Sequence, residues 1–439
     1  MNGKLKKLAC LMGVLSGLTF SACGLFPKST LISAPAEASS LSHTERTEEF
    51  ANFVTSVNAF SSRFASTIYK AEPNEDEFAV SPISVFMGLS LAAECGEGET
   101  QSEILSALGV SLQDLRTHTG TLFRSLTKTH KANGVFGDKT TGMLKPANSI
   151  WLDESISVNK TCTQTLAEKY YCYSYLADFM NAPQSAGKAI QKFIKDQTNG
   201  QIDEYWHFPP STAFVLINTL YLKDVWEYDG SNSRLTDKEY TFTCLDGEVE
   251  REKFLQRDYV MGRAHEGEKF TSFYTSTYHG YKIKFILPKD GYSLSEVFTE
   301  QTLNEVNGVT DYRAEDHENL IRYYTRCLFP TFDADFDNEI RFVLEKEFGI
   351  KNMFDRERAD FSPLVNGQTW CDGVRHTAEL NVDRKGIEGS AVTVIPGAGA
   401  PGPDEYEEVY LDYVVDRAFG FVITDSYGVN LFSGIIGEI

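Results

Sequence analysis

The sequence lacks any run of 18 apolar residues, so it predicts no transmembrane helix, and it shows no tandem repeat. Basic residues are in the minority, with 41 Lys and Arg against 62 Asp and Glu. The resulting net charge of −21 argues against binding to nucleic acid. With 439 residues, 42% of them hydrophobic, the chain is long enough for two average domains or for one large domain with a sizeable core.

Catalytic motifs are also missing. The chain has no Gly-x-Ser-x-Gly, P-loop or His-Glu-x-x-His sequence, and the glycines of residues 397–402 lie among the prolines of 396–403, which prevent a helix start. Asp333, Asp335 and Asp337 alternate as on a solvated strand face and lack the glycine and the final glutamate of a calcium loop. His376 stands apart from any ligand or catalytic pattern. These absences favour a binding or inhibitory protein over an enzyme, and we expect no metal and no cofactor.

The first 23 residues have the pattern of an export signal. Lys4, Lys6 and Lys7 precede a 13-residue apolar segment, residues 8–20, that is too short to span a bilayer. The following Phe-Ser-Ala-Cys23 resembles the end of a bacterial lipoprotein signal, which implies cleavage before Cys23 and lipidation of its thiol. The alternative is an ordinary secretory signal with a coincidental cysteine. We therefore expect an exported, membrane-anchored lipoprotein, on the periplasmic side or at the cell surface.

Three regions follow from this boundary. Residues 1–22 are the signal peptide, residues 23–44 are the lipidated cysteine and a flexible Ser/Ala/Pro-rich spacer, and residues 45–439 are one domain without an internal linker. The cysteines of the domain match no zinc pattern; unpaired, buried thiols are expected, although export would permit disulfides. They are Cys95, Cys162, Cys172, Cys244, Cys327 and Cys371.

Hydrophobic periodicity places helices mainly in the first half of the domain and strands mainly in the second, which indicates an α+β fold. Apolar residues recur at helical spacing from Phe50 to Ile68, whereas 409–423 and 429–436 are apolar runs separated by a turn. Ahead of the first of these two runs, six of the eight residues 396–403 are Gly or Pro. That segment predicts an exposed, protease-accessible loop.

Several motifs, in a shared order over some 300 residues, resemble those of the serpins, the conformational-trap inhibitors of serine proteases. The motifs are Phe78-Ala-Val-Ser-Pro-Ile-Ser84, Gln197-Thr-Asn-Gly-Gln-Ile202, the segment 216–227 around Asn218 and Trp226, and His376-Thr-Ala-Glu-Leu-Asn-Val-Asp-Arg-Lys-Gly386. The resemblance implies three β-sheets, eight or nine helices and an exposed reactive-centre loop. It also places Ser81, Ser84, Asn218, Trp226 and His376 in the breach and shutter regions of the main sheet.

In the mechanism that the resemblance implies, a protease cleaves the loop, and the freed loop then inserts into the main sheet as a new strand. The hinge is the segment Gly386, Ile387, Glu388, Gly389, Ser390, Ala391, Val392 and Thr393. In the family register, Ile387, Gly389, Ala391 and Thr393 face inward, which is compatible with insertion because strand residues alternate between faces. Three departures are Arg384 for Glu, Ile387 for Thr or Ser, and Pro396, which cannot donate to a strand ladder.

Two counts place the scissile bond differently. Counting forward from the hinge gives Ala400-Pro401, a bond that most serine proteases cut poorly, whereas counting back from Phe419 gives Glu407, next to Tyr406. Ala398 or Ala400 suits an elastase-like protease and Tyr406 a chymotrypsin-like one. We expect a monomeric suicide inhibitor of a serine endopeptidase, held to a membrane by its lipid. The alternative is a non-inhibitory serpin that serves as a binding or scaffold module.

Overall fold

The computed structural model describes residues 29–39, 41, 45–72, 76–132, 139–227, 233–309, 314–388 and 406–439. Within these residues the chain forms nine α-helices. The helices are α1 (Glu48–Ala71), α2 (Pro82–Cys95), α3 (Gly98–Leu108), α4 (Leu112–Ser125), α5 (Lys160–Tyr170), α6 (Pro183–Gln197), α7 (Leu294–Val297), α8 (Glu300–Gly308) and α9 (Arg341–Lys346).

The same residues form 22 strands. The strands are β1 (Thr30–Ser33), β2 (Glu77–Val80), β3 (Lys128–Ala132), β4 (Lys139–Asp153), β5 (Cys172–Ala177), β6 (Phe214–Val225), β7 (Arg234–Leu235), β8 (Tyr240–Thr243), β9 (Val249–Glu252), β10 (Leu255–Gln256), β11 (Val260–Met261), β12 (His265–Glu266), β13 (Phe270–Ser276), β14 (Lys282–Pro288), β15 (Glu315–Asp316), β16 (Ile321–Phe329), β17 (Phe332–Glu339), β18 (Arg375–Val382), β19 (Gly386–Glu388), β20 (Glu407–Val414), β21 (Phe419–Thr424) and β22 (Asn430–Ile436).

Three large sheets and one hairpin organise these strands. Sheet A has the order β1-β5-β4-β6-β19-β18-β17, with β3 also paired to β4. Sheet B has the order β12-β13-β14-β21-β22-β2, and sheet C has the order β11-β16-β10-β7, with β15 and β20 also paired to β16. Strands β8 and β9 form a separate hairpin. The α+β fold with three main sheets is confirmed.

Helix α1 illustrates how the sequence sets the local structure. The Thr47 side chain accepts a hydrogen bond from the amide of Phe50 and so caps the first turn. The predicted apolar stripe is buried, and Phe53 and Phe60 lie edge-on to Phe86 of α2 at centroid distances of 5.9 and 5.7 Å. Because α2 is apolar on nearly all sides, it lies buried in the core, where it contacts both β6 of sheet A and β22 of sheet B.

The opposite face of sheet A is covered by α6. Its residues Ile190 and Phe193 belong to a second hydrophobic cluster, in which the Phe193 ring lies edge-on to Trp151 of β4 at 5.9 Å. Sheet A is therefore enclosed on both faces across β4 and β6, which explains why β6 carries apolar residues on both of its faces.

The expectation of a flexible spacer over residues 23–44 is wrong for part of that segment. Thr30–Ser33 forms β1, which pairs antiparallel with β5 at the edge of sheet A, and the Ser33 hydroxyl bonds to the carbonyl of Thr163 in α5 at 3.3 Å. The pairing arises because β5 offers a free backbone edge, a tertiary feature that a four-residue segment does not reveal. Cys23 and the signal peptide lie outside the described residues.

The structure also bears on the expectations of unpaired cysteines and of no transmembrane helix. All six cysteines of the domain are free thiols, and five of them are buried, which confirms the expectation of unpaired buried cysteines. Among the helices of the described residues, none combines the length and the apolar character needed to cross a membrane.

Candidate functional site

The candidate site is a seam in the middle of sheet A, between β6 and β18. Strand β6 pairs with β4 along its length, and β18 pairs with β17 along its length. Within the described residues, strand pairing joins β6 to β18 only through the three residues of β19, at one end of the seam. The facing backbone edges of Phe214–Leu222 and Arg375–Leu380 are therefore available to an additional strand.

A cavity of about 350 Å³ lies along the seam, between α2 and the segment that joins α6 to β6. Its lining includes Ser84 and Gly88 of α2, Leu216 and Asn218 of β6, and His376 of β18. A strand placed in the seam would direct every second side chain into this space. Small and apolar inward residues are the type that such a cavity accepts.

Strand β19 holds the start of the hinge at the end of the seam. Gly386 pairs with Val225, and Ile387 lies between Asp224 of β6 and Val382 of β18. The Ile387 side chain is 1% exposed, so the first inward-facing hinge residue already belongs to the core. The remaining hinge residues, Gly389, Ser390, Ala391, Val392 and Thr393, lie outside the described residues, as does Pro396.

Gly386 is required at its position by close backbone contact. A Cβ atom built on it would lie 1.6 Å from the carbonyl oxygen of Asp224 and 2.8 Å from the Cα of Val225. Any side chain at this position would push β19 away from β6, so the glycine that ends the resemblance motif has a direct steric explanation.

Glu388 faces the other side of sheet A and is held by two polar contacts. Its carboxylate accepts a hydrogen bond from the Tyr221 hydroxyl at 2.8 Å and forms an ion pair with the Lys223 ammonium at 2.8 Å. Partial burial opposes ionisation of Glu388, but these contacts outweigh it and hold the pKa of its carboxyl below the usual value. Glu388 is therefore ionised at neutral pH and fixes the outward side of β19.

Residues between α6 and β6 contact both edges of the seam. The Gln201 side-chain amide donates to the carbonyl of Glu379 in β18 at 3.1 Å, and the Asn199 amide donates to the Tyr221 hydroxyl of β6 at 3.3 Å. In the sequence, Gln197–Ile202 stands out only as a family motif, and no pattern indicates a role for Asn199, Gln201 or Tyr221. The segment bridges the two strands that would have to separate around an inserted strand.

Trp226 holds the turn between β18 and β19, in the region expected to be the breach. Its indole N–H donates to the carbonyl of Asp383 at 2.6 Å, and its backbone amide donates to the carbonyl of Lys385 at 2.9 Å. The Arg257 guanidinium lies 4.8 Å from the indole centroid. Arg384 is exposed at this turn, where its carbonyl accepts from the Ser233 amide, so its reversed charge faces solvent.

Three of the expected shutter residues meet at the opposite part of the seam. The amide of Ser81 donates to Nε2 of His376 at 3.1 Å, and the Ser81 and Ser84 hydroxyls lie 3.0 Å apart. Ser81 also donates to the carbonyl of Leu431 at 2.9 Å. Since Nε2 accepts a hydrogen bond, the His376 ring is neutral, and burial lowers its pKa to about 4.

Asn218 lines the same cavity but bonds elsewhere. Its side-chain amide donates to Oδ1 of Asn148 at 2.6 Å, and Asn148 in turn donates to the carbonyl of Tyr170 at 2.6 Å. The Oδ1 atom of Asn218 is buried and has no hydrogen-bond partner among the described residues. A buried acceptor without a partner is destabilising, so this oxygen is a site that an incoming donor would stabilise.

The scissile-bond candidates divide into two groups. Ala398, Ala400 and Pro401 lie outside the described residues. Glu407 begins β20, and its amide donates to the carbonyl of Leu320 at 2.8 Å. Tyr406 directly precedes it, with its hydroxyl 2.8 Å from Nδ1 of His317. The Tyr406-Glu407 bond is thus at the start of a strand of sheet C.

The neutral His376 leads to a pH prediction. Its folded-state pKa lies below that of an unfolded histidine, so between about pH 6.5 and pH 4 the unfolded chain binds the extra proton. The free energy of unfolding should fall through this window by up to about 3 kcal/mol from this residue alone. Urea unfolding at pH 7 and pH 4 measures the fall. His376→Gln should show a smaller fall, and an equal fall in both chains would contradict the assignment.

A scan of protein-family models matches residues 55–438 to the model described as "Serpin (serine protease inhibitor)". Curated relatives include an "Uncharacterized serpin-like protein" from Methanosarcina acetivorans, 25% identical over 403 residues that cover 89% of this chain and 87% of the relative. Another is the "Probable non-inhibitory serpin-Z9" of Oryza sativa, 27% identical over 372 residues that cover 81% of this chain and 80% of the relative.

Solved structures show the same fold. The native state of Tengpin, a thermophilic serpin, superposes with a TM-score of 0.68 at 22% sequence identity, covering 93% of this chain and 98% of that one. The likeness extends over nearly the whole chain.

Proposed function

Because this chain belongs to the serpin family, whose members are generally protease inhibitors rather than catalysts, we propose that it is a suicide-substrate inhibitor of a serine endopeptidase. The protease cleaves the reactive-centre loop and is held as an acyl-enzyme while the freed loop enters the β6–β18 seam. Insertion carries the protease to the far end of sheet A and distorts its active site before the acyl bond is hydrolysed.

The observation that carries the proposal is the state of the seam. Ile387 is already buried between β6 and β18, and beyond it the two strands present unpaired edges over a cavity of about 350 Å³. Extending β19 along the seam would satisfy those edges and bury the inward side chains of the loop. The gain in free energy on strand addition is the source of the mechanical work that trapping requires.

We place the cleaved bond at Ala398 or Ala400 rather than at Tyr406. A protease binds its substrate in an extended form free of other pairing, whereas the Glu407 amide is bonded to Leu320 and the following residues pair with β16. An alanine before the cleaved bond favours an elastase-like target. Mass spectrometry of the cleaved chain identifies the bond, and a cut after Tyr406 would favour a chymotrypsin-like target instead.

The proposal includes a membrane tether. Cleavage before Cys23 and lipidation of its thiol would anchor the acidic inhibitor to the membrane of the exporting cell, on the periplasmic side or at the surface. Fractionation of cells that express the whole chain should find it in the membrane, and the Cys23→Ser chain should appear in the soluble fraction.

A second candidate function is a non-inhibitory binding or scaffold module. It is favoured by Arg384, Ile387 and Pro396, the three departures from the family pattern in and beside the loop. The two candidates differ in what loop cleavage does to stability. A large rise in melting temperature after cleavage indicates insertion, and an unchanged melting temperature supports the non-inhibitory function.

The deciding experiment incubates the purified domain with pancreatic elastase, chymotrypsin and trypsin. We expect a covalent complex that survives boiling in SDS with at least one of them, the elastase first. If every protease that cleaves the loop releases the cleaved chain without forming a covalent complex, that result would falsify the inhibitory proposal.

A further inference from the structure

The solvent-facing side of sheet C carries a row of exposed apolar side chains. Met261 of β11 pairs with Tyr324 of β16, and Tyr324 pairs with Tyr410 of the edge strand β20, so the three residues lie side by side across the sheet. Met261 and Tyr410 are each 53% exposed. We call Met261, Tyr324 and Tyr410 the tyrosine row.

The tyrosine row is held rigidly by its neighbours. The rings of Tyr324 and Tyr410 stack at 5.0 Å, and Tyr259 lies edge-on to Tyr410 at 5.1 Å. On one side, Arg326 binds Asp412 through two hydrogen bonds of 2.9 and 2.6 Å, and the Tyr259 hydroxyl donates to the same carboxylate at 2.7 Å. These contacts fix the side chains before any partner arrives, which lowers the entropic cost of binding.

The other side of the row is acidic. The exposed Glu408 carboxylate accepts from the hydroxyls of Tyr410 at 2.8 Å and Tyr324 at 3.4 Å. The surface therefore combines Tyr, Met and Arg, the residue types enriched at interface centres, with a charged rim. It fits a partner that presents an apolar patch bordered by basic groups.

The position of the row identifies its partner. Tyr410 lies on β20, the strand that directly continues the reactive-centre loop, nine residues after Pro401. Nine extended residues span at most about 30 Å, whereas a protease domain of roughly 200 residues is about 40 Å across. A protease that holds the loop at Ala398 or Ala400 thus reaches the face of sheet C without further movement.

We propose that the tyrosine row is a second contact surface for the protease that binds the reactive-centre loop. The proposal rests on the proposed function for the identity of the partner. The row selects among proteases with the same cleavage preference, because it adds binding energy that a loop sequence alone does not supply.

The test compares Met261→Ala/Tyr410→Ala with the unchanged chain, using the panel protease that reacts fastest. The control is Phe342→Ala on α9, outside sheet C, where the phenylalanine is 67% exposed. We expect the second-order rate of reaction with the protease to fall about tenfold in the double variant, and to stay unchanged in the control. The melting temperature and the number of chains consumed per trapped protease should not change.

The outcomes separate this proposal from the inhibitory one. If the chain is cut without being trapped, the inhibitory proposal fails, and the rate of loop cleavage becomes the readout for the tyrosine row. An equal rate in the double variant and the unchanged chain overturns the second contact surface, as does a failure of every panel protease to react. Sedimentation that finds a dimer abolished by the double substitution would also overturn it, by assigning the row to a second copy.

Discussion

Ile387→Arg should turn the inhibitor into a substrate that is cut in the loop and released. The Ile387 side chain is buried beside Asp224 and Val382, and an arginine there either leaves its guanidinium unpaired or takes the Asp224 carboxylate from His279, each at a cost of several kcal/mol. This cost expels β19 from the seam in the uncleaved variant, so about 3 kcal/mol is added to the barrier when the cleaved loop must enter, and insertion slows about 100-fold. Hydrolysis of the acyl-enzyme then precedes trapping, and an SDS gel should show cleaved chain with almost no covalent complex.

Two further variants make this result specific. Arg384→Ala changes a neighbouring side chain that is exposed, and it should trap as well as the unchanged chain. Ile387→Thr keeps a β-branched residue of smaller volume at the first inward position and should also trap. Retention of the covalent complex by Ile387→Arg would show that insertion does not begin at β19, and that Ile387 is buried for stability alone.

Hydrophobic periodicity predicted those helices and strands in which one face is buried along the whole length. The stripe from Phe50 to Ile68 predicted α1 because one face of that helix is buried along its length. The apolar run 409–423 is less simple than predicted. The structure divides it into β20 of sheet C and β21 of sheet B, because the chain changes sheets at residues 415–418. Apolar content does not record which sheet receives a strand.

The seam could be predicted only in part. The motif resemblance predicts a hinge that starts at Gly386, and the structure brings Ser81, Ser84 and His376 together. The bonds of Gln201 to β18 and of Asn218 to Asn148 join segments far apart in the chain. Such pairings depend on the tertiary position of each strand, which residue spacing does not encode. The same holds for β1 at the edge of sheet A.

Trp226→Ala should have the largest effect on stability of any change in the breach. The indole is 2% exposed, and its removal leaves a cavity and an unpaired Asp383 carbonyl. The expected loss in free energy of unfolding is about 3–5 kcal/mol, measured by urea denaturation. Trp226→Phe keeps an aromatic ring but lacks the N–H donor. The unsatisfied Asp383 carbonyl should lower its free energy of unfolding by about 1–3 kcal/mol.

The loss in Trp226→Ala should also have a local component at the hinge. The Trp226 indole holds the carbonyl of Asp383 and packs on the turn that presents β19 to the seam, so its removal loosens that turn, although the backbone amide of residue 226 still donates to Lys385. Amide hydrogen exchange over Gly386–Glu388 should then accelerate beyond what the global loss of stability explains. Trp151→Ala is the matched control, because Trp151 is equally buried but lies beneath α6, away from this turn. Equal acceleration at the hinge in both variants would mean that Trp226 stabilises the fold without positioning the hinge. Acceleration confined to Trp226→Ala would identify the indole as the residue that keeps the first inserting strand in register.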